Sequence, residues 1–467
     1  MMQRAGLLVL VATMSVLAAA PAQAAAPADV RAEARAIFEK IISIPTSEGL
    51  GKVPEMAQYL AGRFAAAGFP AGDIHVLPSG ETASLVVRYR GTGRGGKPII
   101  VLSHMDVVTA RREDWQRDPF VLVEEDGYFF GRGTEDVKSE VALITATFLR
   151  LRAEKFVPER DLILVFTGDE ETTARTAQEL VTTHRALIDA EYALNSDGGG
   201  GRLDEQTGRA SYYHLQGAEK FFANFEVTVR NPGGHSSEPR PDNAIYELAD
   251  ALKALQAFAF PVQWNDWTIG SFREKARLTP GEEGAAMARF AENPGDSEAS
   301  AVLARNPALV GRTRTTCVPT LLQGGHADNA LPQSATATVN CRVFPGNTAA
   351  QVRDTLQQVV GSKVEVRTLG EPLAGPPSPL RQDVVEAVTL AVQARFPGVP
   401  VIPDMAPYAT DGTLFRSAGI PTYGVSSVFM KDSEAFSHGL NERITVATFY
   451  DGLEHWYALL KTLAGAK

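Results

Sequence analysis

Only two cysteines, Cys317 and Cys341, occur in 467 residues. That is too few for a disulfide framework, or for a zinc site built from three or four thiolates. Whether the two pair or remain thiols stays open at this level. Positive charge is also short: 45 Lys and Arg face 55 Asp and Glu, a formal net charge of −10. With no basic surplus to track phosphates, nucleic acid is not an expected partner, which leaves small molecules and peptides. Beyond the N-terminus no stretch of about 20 residues runs without charge, so no membrane span is expected. Internal repeats are absent. The remaining composition, 44% apolar and 21% charged, is that of a globular chain with room for two or three domains of about 150 residues.

The first residues read as a leader. Arg4 precedes an apolar run from Ala5 to Ala20, and Ala22-Gln23-Ala24 supplies small residues for cleavage after Ala24. The expectation is a signal peptide over 1–24 and an exported protein, periplasmic or secreted.

Met56, Leu60 and Phe64 fall at helical spacing between Pro54 and Gly68. Apolar runs at Ser84 to Tyr89, Pro98 to Leu102, Asp161 to Phe166, Tyr192 to Asn195 and Ile420 to Val425 read as buried parallel strands. Helical patterns such as Val141, Ile144, Phe148 and Leu151 lie between them, which is the alternation of an α/β unit. After Gly217 the pattern changes to alternating strands (Lys220 to Val229, Thr336 to Val343) and helices (Asn243 to Ala257, Thr348 to Val360). That order predicts an inserted α+β domain over 217–370. The flanking segments 25–216 and 371–467 would form one catalytic domain in two parts, around a mainly parallel mixed sheet. Within the insert, Trp264 to Thr316 is rich in Gly, Pro and Glu and reads as irregular with some helix.

Chemistry collects where those strands end. In an open α/β sheet the carboxyl ends of the strands face a crevice, so polar residues gathered there from distant parts of the chain make a candidate site. Ser103-His104-Met105-Asp106 follows one strand. Residues two apart on an extended chain face the same way, which stands Asp106 behind His104 as a carboxylate behind a metal-binding imidazole. Gly131-Arg132-Gly133-Thr134-Glu135-Asp136 precedes the Val141 helix, and its glycines allow close backbone approach to an ion. Asp169-Glu170-Glu171 places three acids in a row at a strand end, a repulsion that bound cations would relieve. Asp197 follows another strand, and His438 lies in Phe436-Ser437-His438-Gly439-Leu440-Asn441-Glu442.

Taken in this order, the motifs resemble the dinuclear zinc metallopeptidases that include aminoacylase, glutamate carboxypeptidase, carboxypeptidase S and succinyl-diaminopimelate desuccinylase. The resemblance implies a zinc-dependent exopeptidase-like fold with an inserted lid or dimerisation domain. It implies two zinc ions, for which cobalt or manganese could substitute: one on His104, Asp136 and Asp197, the other on Asp136, Glu171 and His438. Glu170 would be the catalytic base, with Asp106 as the second catalytic acid residue. In the lid, His235, Asn329 and Arg342 resemble substrate contacts, and Thr410 and Gly412 resemble a substrate-facing loop in which Asp411 is structural. Lids of such relatives pair across a two-fold axis, which implies a homodimer. Met105, Thr109 and Ser139-Glu140 depart from the common pattern of the motifs but remove no ligand. The activity implied is hydrolysis of an amide bond, of a peptide C-terminal residue or of an N-acyl amino acid. The alternatives are reversible synthesis and hydrolysis of N-acyl amino acids, and a binding protein without catalysis on the same fold.

Overall fold

The computed structural model describes residues 25–465, so the expected leader over 1–24 lies outside the described residues. Nine strands cross the large sheet in the order Ile74–Ser79, Thr82–Tyr89, Leu162–Thr167, Ile99–His104, Tyr192–Asn195, Thr422–Gly424, Ala210–Glu219, Gly200–Leu203 and Phe429–Met430. A tenth, Val401–Ala406, runs parallel beside Ala210–Glu219. The centre is parallel, as the buried runs suggest: Leu162–Thr167, Ile99–His104, Tyr192–Asn195 and Thr422–Gly424 all point the same way. Thr82–Tyr89, expected to be parallel, is antiparallel to both of its neighbours. An apolar run reports burial on both faces but carries no information about direction.

The pleat divides the core. Ile99 and Val101 pack with Phe38, Phe64, Phe148 and Phe449 of the helices Ala28–Ile42, Val53–Ala66, Lys138–Ala153 and Val446–Ala464. Ile100 and Leu102 face the opposite layer, with Leu180 and Phe415 of Arg175–Thr182 and Gly412–Ser417. Glu140, one of the departures from the common motif, is wholly buried and accepts hydrogen bonds from Trp456 Nε1 (2.6 Å) and Ser427 N (2.6 Å). It thereby ties its helix to the C-terminal helix.

The segment expected to form a lid contains a second, antiparallel sheet in the order Thr316–Gly324, Ser334–Val343, Phe221–Arg230, Val364–Leu369. Helices Ala244–Ala257 and Ala349–Val360 cover one face, where alternate residues Ala223, Phe225, Val227 and Val229 are buried. The other face presents Phe222 and Arg342, which are cross-strand partners. Cys317 and Cys341 are also partners across two strands and are joined in a disulfide.

The stretch expected to be irregular with some helix is more helical than that, forming four helices: Asp266–Lys275, Gly281–Glu292, Ser297–Ala304 and Pro307–Val310. They share their own apolar cluster around Phe272, Met287, Phe290 and Leu303. Trp267 docks them onto the catalytic sheet, donating from Nε1 to the Ser378 carbonyl at 2.8 Å. Its ring lies so close to Gly217 that a Cβ there would sit 1.8 Å from it, so only glycine fits.

Candidate metal centre

Strand register assembles the site. His104 lies opposite Thr167 on one neighbour, and Leu102 lies opposite Asn195 on the other. Asp197 and the Glu170-Glu171 pair therefore leave their strands on either side of His104, at the point where the chain order across the sheet reverses. Two loops complete the ring. One, before the helix Lys138–Ala153, carries Asp136, and the other, before the last helix, carries His438.

The ring nitrogens and carboxylates converge. His104 Nε2 is 3.1 Å from Asp136 Oδ1 and 3.9 Å from Asp197 Oδ2. His438 Nε2 is 2.9 Å from Glu171 Oε1 and 3.2 Å from Asp136 Oδ2. Asp136 thus offers one oxygen to each histidine. Donor atoms of His104, Asp136 and Glu171 lie within 4.8 Å of one another, as do those of His104, Glu170 and Asp197. Two imidazoles among four carboxylates form a nitrogen–oxygen donor set that suits a divalent transition metal.

Asp106 does more than stand behind the imidazole. His104 Nδ1 donates to the Asp106 carbonyl at 3.1 Å, with the Asp106 carboxylate 3.5 Å away, which leaves Nε2 directed at the acids. The same carboxylate accepts from the backbone N–H groups of Glu170 (3.1 Å) and Glu171 (3.0 Å), fixing the tandem acids in place.

Charge balance in the metal-free chain is maintained by protons. Hydrogen bonds donated to the Asp136 and Glu171 carboxylates raise the His438 pKa to about 10, despite its partial burial. Burial opposes a charge on His104, but its bonds to Asp106 and Asp136 outweigh that and hold it well above the ordinary imidazole range. Burial, then the neighbouring charge of Asp197, pushes the Glu170 carboxyl well up, and burial does the same to Asp197. All four folded-state values are raised, so their stabilisation is full below the unfolded values and is lost as pH rises through the folded ones. For His438 the window runs from about 6.5 to about 10. Metal would take His104, Asp197 and His438 deprotonated and remove their dependence. The gap in Tm between metal-loaded and chelator-treated protein is therefore expected to widen with pH across that window. A gap independent of pH would show that the histidines are not so paired.

The other expected residues divide. Arg342 lines a cavity of about 970 Å³ together with Glu170, Glu171, Phe221, Phe222 and Thr410. His235 and Asn329 do not line it; they sit exposed on the lid, where Ser236 N donates to the Asn329 carbonyl and His235 Nδ1 contacts Ser237 Oγ at 2.7 Å. The Thr410 hydroxyl is buried among Asn195 Nδ2, Glu219 Oε2 and Gly412 N, each at 3.0 Å, so it braces the loop while its residue faces the cavity. Gly412 begins a short helix behind it. Asp411, expected to be structural, accepts from Thr167 Oγ1 at 2.6 Å, but its Oδ1 has no hydrogen-bond partner among the described residues and the residue lines the cavity. Glu219, which pairs with Arg416, escaped the sequence reading because a single acid inside a strand carries no motif.

N-fatty-acyl-amino acid synthase/hydrolase PM20D1 of Homo sapiens is 27% identical over 394 residues, covering 82% of this chain and 77% of the relative. Aminoacylase-1 of Mus musculus is 24% identical over 385 residues, 81% of this chain and 83% of its own. Among solved structures, the M20 family metallo-carboxypeptidase Sso-CP2 from Sulfolobus solfataricus shares the fold with a TM-score of 0.68 at 18% identity, over 92% of this chain and 99% of that one. YXEP of Bacillus subtilis, a dinuclear metal binding peptidase of the M20 family, superposes with a TM-score of 0.60 at 12% identity, over 93% and 98% of the two chains. The model of peptidase family M20/M25/M40 matches residues 100–462, a span that includes every residue of the metal centre, and the chain belongs to that family of hydrolases.

Proposed function

We propose that this hydrolase is an exported dinuclear zinc enzyme that cleaves the amide bond joining an acyl group to an amino acid with a free carboxylate. One observation carries the substrate reading. Arg342 forms no ion pair among the described residues, yet it faces the cavity that opens onto Glu170 and Glu171. Its side chain is exposed toward that cavity, and its guanidinium lies over the Phe222 ring, 5.8 Å from the centre. A substrate carboxylate would supply an ion-pair partner. Around it Phe221, Phe222, Leu369, Pro372, Leu373 and Leu414 give the cavity an apolar wall suited to an acyl chain or an apolar side chain.

In this reading His104, Asp136 and Asp197 hold one zinc and Asp136, Glu171 and His438 the other. When bound, the ions polarise the scissile carbonyl and acidify the attacking water. Asp106 keeps His104 and the Glu170-Glu171 backbone in register. Glu170 takes the proton of the attacking water and returns it to the nitrogen as the C–N bond breaks, releasing a carboxylic acid and the amino acid. Arg342 orients the substrate through its carboxylate, and Thr410 sets the cavity wall beneath it, with Gly412 behind.

The disulfide supports an oxidising compartment, periplasmic or extracellular, in keeping with the expected leader. Support for a homodimer comes from the lid edge: Thr316–Gly324 pairs on one side only, and Val318, Leu321 and Leu322 on it are 56%, 65% and 67% exposed. A second copy pairing there is the route by which His235 and Asn329 would meet substrate.

The test is product analysis with the purified zinc-loaded chain on a panel of N-acyl amino acids and dipeptides, with free acids and amines also supplied together. Release of an amino acid from the N-acyl substrates is the expected result. Cleavage of dipeptides alone would move the assignment to a carboxypeptidase, net condensation to a synthase, and no reaction with any of them to a binding protein.

A further inference from the structure

Asp136 and His438 belong to loops about 300 residues apart in the chain, and both loops are irregular, so something must hold them in register. Their contact is reciprocal. Glu442, from the His438 loop, is wholly buried, and its Oε1 accepts from three backbone N–H groups of the other loop: Gly133 at 3.0 Å, Glu135 at 2.8 Å and Asp136 itself at 3.1 Å. The Glu442 carbonyl takes a fourth, from Gly131, at 3.1 Å. In return Arg132, from the Asp136 loop, donates from Nη1 to Glu442 Oε2 and from Nη2 to the carbonyls of His438 (3.3 Å) and Gly439 (3.2 Å). The guanidinium is only 3% exposed and lies over the Trp115 ring, 5.1 Å from its centre.

We propose that Arg132 and Glu442 are a positioning pair for the metal centre: an acid from one ligand loop gathers the other loop's N–H groups, and a base from that loop gathers the first loop's carbonyls. Neither side chain touches a metal-ligating atom. Their effect runs through the backbone of Asp136, which donates to Glu442, and of His438, which accepts from Arg132. The pair thus sets the separation between the bridging carboxylate and the second imidazole. A buried ion pair hydrogen-bonded to the backbone of both loops in this way serves geometry more than net stability. The inference rests on the dinuclear reading of the site.

The test is calorimetric titration of zinc chloride into the metal-free full-length chain, for the parent, Glu442→Gln and Arg132→Lys. Glutamine keeps the shape but replaces one acceptor oxygen by a donor. Lysine keeps the charge but gives up the planar fork that reaches both Glu442 and the carbonyls. Outer partners of metal ligands typically contribute about 10- to 100-fold in affinity. One of the parent's two binding steps is expected to weaken by that factor in each variant while the other changes little, and excess zinc should restore most of kcat. If Glu442→Gln does not fold, Arg132→Lys alone carries the test. Unchanged zinc affinity in a folded variant whose metal-free Tm has fallen would overturn the proposal, because that is the signature of packing alone. A parent that binds no zinc would overturn the metal reading beneath it, a result distinct from either.

Discussion

Glu170→Gln is expected to lower kcat at least about a hundredfold, the usual contribution of a positioned general base, and to leave the metal content of the chain unchanged. Glutamine has the same shape as glutamate but no basic oxygen. The backbone N–H of residue 170 is held by Asp106 whatever the side chain, so the loop should keep its course. The test discriminates between two roles, because Glu170 lies close enough to His104 and Asp197 for its donor atom to join theirs. If Glu170 were a ligand, the substitution would release metal along with activity. Retention of more than roughly a tenth of the rate would remove it from proton transfer.

Arg342→Ala should discriminate between substrates rather than abolish chemistry. A charge-assisted hydrogen bond is worth about 1.5–3 kcal/mol, which corresponds to roughly 10- to 150-fold in kcat/KM. That loss is expected for substrates with a free carboxylate and not for the matching amides or methyl esters, which never made the pair. Arg342 lines the cavity but has no protein ion-pair partner among the described residues, so its removal leaves no carboxylate of the chain unpaired. An equal loss on acids and esters would mean that Arg342 shapes the cavity without reading the carboxylate.

The residues of the metal centre were legible where burial and chemistry meet in a short stretch. Ile99–His104 and Leu162–Thr167 are wholly buried, and each gives way abruptly to potential ligands, a pattern that a solvent-exposed loop has no reason to show. Direction was not legible, and Thr82–Tyr89 turned out antiparallel for that reason. Some helix was legible between Asp266 and Val310 but not its extent, because the Gly, Pro and Asn residues that begin and end these helices read as loop. The Thr316–Gly324 strand was hidden by its exposure, since an edge with both Leu321 and Leu322 in solvent shows no alternation. With that strand unseen, the pairing of Cys317 with Cys341 had to stay open. Glu442 was in plain view beside His438, but its role depends on packing against a loop more than 300 residues away. Spacing within one segment cannot report that.

In the proposed centre Asp136 would hold two metal ions, each shared with one of the two histidines. The most direct measurement is elemental analysis of the purified chain, followed by stepwise zinc return to chelator-treated protein with turnover of an N-acyl amino acid recorded at each step. Close to two metal ions per chain are expected, with full turnover regained only as the second equivalent is taken up. A single tightly held ion with full activity, or turnover that survives complete metal removal, would contradict this proposal.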